Sequence, residues 1–63
     1  MKISRDKINI ELARKQMTVT ALANAYGVSR ARMNVILNSR EVSTVSAGRL
    51  AKSLGVDVVE IME

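Results

Sequence analysis

The chain has no cysteine, histidine, proline, tryptophan or phenylalanine, and one tyrosine, Tyr26, is its whole aromatic content. Each absence excludes something. Without Cys there is no disulfide framework, and without Cys and His the usual zinc and nucleophile constellations cannot form. One aromatic residue provides no platform on which unpaired bases could stack, which weighs against single-stranded RNA as a ligand. No apolar run approaches the roughly 20 residues that cross a bilayer. The opening "MKISRDKINIE" breaks its apolar residues with charge, unlike a signal peptide. No helical stretch shows the strong basic–apolar split of a membrane-surface helix. The expectation is a cytoplasmic protein with no membrane partner.

Catalysis is equally short of parts. The six acidic residues form no pair placed for acid–base work, and no glycine-rich phosphate loop is present. Asp57 and Glu60 stand three apart but fit better as the capping and solvated residues of a short helix. The expectation is a protein that is not an enzyme, with no metal, no cofactor and no small-molecule ligand evident.

What the chain does contain is 48% hydrophobic residues over 63 positions, mostly Ala, Leu, Val, Ile and Met. A chain of this size buries only about 60% of the surface its unfolded form exposes, so one marginally stable domain, residues 1–63, is the expectation. Without staples, such folds rely on helices or on oligomerisation. The net charge is +4 and unevenly spread. Between Arg14 and Lys52 lie Arg14, Lys15, Arg30, Arg32, Arg40, Arg49 and Lys52 against one acid, Glu41. Beyond Gly55 the only charges are Asp57, Glu60 and Glu63. A basic middle with an acidic end points to a polyanion-facing surface and a different opposite end, although a solvated basic surface would look the same.

Local signals divide the chain into five short helices. "DKINIELARKQM" spaces Ile8, Leu12 and Lys15 one turn apart, with Ile10 and Ala13 close by. Thr18 is an N-cap candidate for a helix to Gly27, with Ala21, Leu22 and Ala25 on one face. Ser29 opens a third helix, "SRARMNVILN", that turns Met33, Ile36 and Leu37 inward. Ser43 caps a fourth through Leu54, with Ala47, Leu50, Ala51 and Leu54 inside and Gly55 as its stop. A fifth short helix starts at Asp57, with Val58 or Val59 and Ile61 packing back. Gly48, inside the fourth helix, costs about 1 kcal/mol against Ala, which the close approach of a neighbouring helix would explain.

The stretch "AYGVSRAR" is more specific. A steep reversal within "YGV" needs one left-handed residue, where glycine alone escapes the Cβ penalty. Ala23, four residues before Gly27, lets the next helix cross closely, while Leu22, Tyr26, Val28, Met33 and Ile36 lock the pair. With those positions agreeing, "MTVTALANAYGVSRARMNVILN" followed by "VSAGRLAKSLGVDVVEI" resembles the helix-turn-helix proteins of the lambda repressor and Cro (XRE) family over about residues 8–62. The resemblance implies an all-α, compact five-helix, lambda-repressor-like domain whose third helix enters the DNA major groove. Arg30 and Ala31 match the family's main base-contacting positions, with Asn34 and Val35 a turn further on. Arg can bond guanine N7 and O6, Asn can bond adenine, and Ala and Val can meet a thymine methyl.

The same resemblance frames the reading head with phosphate-positioning residues: Thr18, Ser29, Asn38, Arg40 and Ser43, with Arg32 reaching a phosphate, a base or solvent. One position departs from the family. After the capping Thr, members usually carry a phosphate-gripping Gln, and this chain has Val19. The resemblance also implies a double-stranded operator bound by a homodimer, on half-sites about 34 Å apart. Val58, Ile61 and Met62 are the candidates for the dimer contact, the alternative being that all three pack inside. The reading is a sequence-specific DNA-binding regulator of phage or bacterial type, a repressor in action. The rival is a helix-turn-helix interaction module for a protein partner, antitoxin-like or anti-repressor.

Overall fold

The computed structural model describes residues 1–63. Four α-helices follow one another: α1 (Arg5–Arg14), α2 (Val19–Tyr26), α3 (Arg30–Asn38) and α4 (Thr44–Leu54). Each opens on a hydroxyl residue in extended conformation whose side-chain oxygen accepts an N–H three residues on. Ser4 takes Lys7 N at 3.2 Å, Thr18 takes Ala21 N at 3.0 Å, Ser29 takes Arg32 N at 3.1 Å and Ser43 takes Ser46 N at 3.1 Å. Each such cap contributes about 1 kcal/mol by satisfying a backbone donor the helix leaves unpaired.

The helices stop by different means. Gly27 and Gly55 end α2 and α4 at φ 97° and φ 72°. At the end of α1 the same left-handed turn falls on Gln16, φ 51°, closed by Met17 N donating to Leu12 O at 2.9 Å. Lys15, expected on the inner row of α1, is therefore the exposed residue that ends it.

One hydrophobic core draws on every element: Ile3 and Ile8, Leu12, Leu22, Ala23 and Tyr26, Met33 and Leu37, Leu50, Ala51 and Leu54, and Ile61. The expected inner face of α4 is buried throughout. Ile36 is only half-buried on α3, where Met33 and Leu37 carry the packing.

The expected fifth α-helix is instead one 3-10 turn, Val58–Ile61. Asp57 caps it tightly, its Oδ1 accepting Val59 N at 3.0 Å and its carbonyl accepting Glu60 N at 3.0 Å. The chain then straightens to meet its own beginning. Ser4 N donates to Ile61 O at 2.8 Å and Glu63 N to Lys2 O at 3.1 Å, while Ile3 N donates to Arg40 O at 3.1 Å. Residues 2 and 3 thus bridge the α3–α4 connector and the chain end, pairing with Glu41 and Met62.

Gly48 has no close neighbour: a Cβ built on it meets nothing within 4 Å. The close helix approach expected there does not occur. Gly48→Ala should therefore stabilise the fold by about 0.8–1 kcal/mol through helix propensity alone, visible as a melting temperature raised by about 4–8 °C. No gain would mean that α4 is frayed around this position.

Candidate nucleic-acid interface

The geometry of the α2–α3 turn follows from three residues. Gly27 N and Val28 N both donate to the carbonyl of Ala23, at 2.8 and 3.0 Å. Ala23 itself is buried, so only a small side chain fits beneath the crossing helix. The positive φ is what requires glycine there; a Cβ on Gly27 would also lie 3.2 Å from Nη2 of Arg49, so the tip of that side chain would have to give way by a few tenths of an ångström.

Arg49 shares in this turn, and sequence reasoning missed it. From α4 its Nη2 donates to Tyr26 O at 2.7 Å, and its guanidinium carbon lies 4.4 Å from the centre of the Tyr26 ring. The cation satisfies a carbonyl at the negative end of α2 and stacks on the ring. Tyr26, buried beneath it, is a core residue. In the sequence Arg49 is one more basic residue beside Leu50, and nothing local says that it reaches α2.

With Met33 and Leu37 turned inward, α3 leaves Arg30, Ala31, Arg32, Asn34, Val35 and Asn38 exposed. Val35 is 55% exposed, a large apolar side chain on an otherwise polar face. Two arginines and no acid make this face cationic. Thr18, Ser29 and Ser43, the cap residues of α2, α3 and α4, are exposed, as is Arg40 in the connector. Asn38 closes α3, its Oδ1 accepting Nη1 of Arg5 at 3.4 Å.

The electrostatics of the helix starts separates these elements from the rest. An acid in the first turn offsets the positive end of a helix. Asp6 does this for α1 and Glu60 for the 3-10 turn, but α2, α3 and α4 have no acid there and neutral hydroxyl caps. Three uncompensated positive helix ends can therefore take anions. This pattern is legible in the sequence as the lack of any acid in the three residues after Thr18, Ser29 and Ser43.

Val19, at the position where the resemblance implies Gln, packs half-buried against the hydrophobic core. The dimer candidates also fall differently from expectation. Ile61 is fully buried in the core, while Val58 and Met62 are half-buried against it, so Ile61 is unavailable to a partner. The apolar side chain left outward in this region is Val59, 66% exposed, which shares a shallow groove with Ile10, 50% exposed, on α1. Lys7, Arg14, Glu11 and Glu60 also line that groove, Glu11 being buried and accepting Nη1 of Arg14 at 2.9 Å.

A glycine-turned helix pair with a cationic, outward-facing second helix is a helix-turn-helix. Residues 7–63 match the family of Cro/C1-type HTH DNA-binding domains, and the chain belongs to that family. It is a DNA-binding domain, and the family is one of binders rather than catalysts. No curated protein and no solved structure is significantly similar to the chain. No helix is long and apolar enough to cross a membrane.

Proposed function

We propose that the chain reads a specific double-stranded operator and regulates transcription by occupying it. The observation that carries this is the outer face of α3, where Arg30, Ala31, Asn34 and Val35 stand exposed together just beyond an uncompensated helix start. Arg30 is the guanine reader, Asn34 the adenine reader, and Ala31 and Val35 the thymine-methyl contacts. Thr18, Ser29, Asn38, Arg40 and Ser43 hold phosphates, with Arg32 beside them. Selection from a random duplex pool at low and near-physiological salt tests this reading. An enriched motif that survives the higher salt supports it, and salt-sensitive binding without a motif sinks it.

The operator reader acts as a homodimer, because one module of this size buries only about 600–1,000 Å² on DNA. The groove of Ile10 and Val59, with cationic Lys7 and Arg14 and anionic Glu60, can meet a second copy of itself. Val59→Asp should raise the dimer dissociation constant at least about tenfold, 1.4 kcal/mol, leaving the melting temperature of the monomer in place. Sedimentation of the wild-type chain as a monomer at all concentrations would end this part of the proposal. The rival reading, a protein-binding helix-turn-helix, is favoured by Val19, whose packing on the core leaves no amide for a phosphate at that position.

A further inference from the structure

Arg5 is the first residue of α1, where a cation opposes the positive helix end and costs stability. Helix formation therefore does not account for it. Its guanidinium is instead used twice. Nε donates to Asn9 Oδ1 at 3.1 Å, one turn along α1, and Nη1 donates to Asn38 Oδ1 at 3.4 Å, on the last residue of α3. The guanidinium is a rigid planar fork, so once Asn9 fixes Nε the direction of Nη1 is fixed as well. With the amide oxygen turned to Arg5, the NH2, the amide's only donor, points the other way.

From this link we infer that Arg5 is a positioning residue for DNA: it holds the Asn38 amide with its oxygen turned to α1 and its NH2 free to donate to a backbone phosphate. The inference rests on the DNA-reading proposal above and deepens it. It also ties the start of α1 to the far end of the recognition helix, where Ile3 N already holds the connector at Arg40 O. Arg5 acts through Asn38 rather than on the phosphate itself. Arg5, Asn38 and Arg40 line one polar depression, but Asp6 and Glu63 line it too, and their charges oppose the entry of a phosphate.

The test is a binding cycle of wild type, Arg5→Ala, Asn38→Ala and the double variant on a mixed-sequence duplex at low salt, since phosphate contacts do not depend on sequence. Each single variant should weaken binding about tenfold or more, the loss of one hydrogen bond to a charged phosphate. The double variant should be no weaker than Asn38→Ala alone. Arg5→Lys should fail to rescue, because a single ammonium nitrogen on a flexible stem lacks the fixed Nε–Nη1 fork that reaches both amides. The salt dependence should not change with Arg5→Ala. Additive losses, rescue by Lys, or a salt slope flatter by about 0.9 would overturn the inference, the last making Arg5 a direct phosphate contact. In those cases the wild-type chain still binds. Failure of the wild type to bind the duplex at all would instead overturn the DNA-reading proposal, and this inference with it.

Discussion

Gly27→Val is expected to remove about 2–3 kcal/mol of folding stability, combining a left-handed cost of about 1–2 kcal/mol for a branched residue with the disruption of a packed contact. The backbone at φ 97° is one that a β-branched side chain tolerates poorly. The new Cβ would also press on Nη2 of Arg49 at 3.2 Å, the nitrogen that closes α2 through Tyr26 O. A domain of this length has a total stability on the order of 3–9 kcal/mol, so the loss is a large fraction of it. Thermal unfolding should shift down by about 10–20 °C at about 4–8 °C per kcal/mol. A melting temperature within a few degrees of the wild type would show that the turn tolerates an extended alternative. Gly27→Ala separates the two causes, keeping most of the steric contact with Arg49 but a smaller backbone penalty, and should fall between the two.

Arg30→Ala should leave that melting temperature alone and act on recognition. The side chain is exposed on the first residue of α3 and makes no hydrogen bond or ion pair within the protein. Its removal should therefore cost only what it gains on DNA, about 1–3 kcal/mol at one base position, with preference relaxed there and kept elsewhere. Competition between the selected duplex and single-base variants reads this directly. A uniform weakening across all variants, with the salt slope reduced by about one, would reassign Arg30 to a phosphate. Val35→Ala provides a control, since losing an apolar contact should change preference at a thymine without altering the salt dependence.

The two variants also mark which features the sequence carries locally. Gly27, Thr18, Ser29 and Ser43 were legible because turns and caps are settled within three or four residues, by a left-handed φ or by a hydroxyl meeting the N–H three places on. The inner face of α4 was legible because helical period alone separates Ala47, Leu50, Ala51 and Leu54 from the rest. The start of α1 at Ser4 is not marked in the sequence, because the helix's apolar period begins only at Ile8. The tail was ambiguous for a different reason. Val58, Val59, Ile61 and Met62 are all apolar, and their faces depend on the pitch. At three residues per turn Val58 and Ile61 align and turn in while Val59 turns out, so the exposed patch moved from Ile61 to Val59.

By itself, then, the sequence determined the helices, their caps, the steep α2–α3 turn and the cationic outer face of α3, because each depends on neighbours a few positions apart. Only the tertiary structure decided where Arg49 and Arg5 reach, that the chain end is a 3-10 turn paired with residues 2–4, and that Gly48 faces open space. Those contacts join residues 23 to 61 positions apart, and no local propensity or period encodes which distant carbonyl or amide a residue will find.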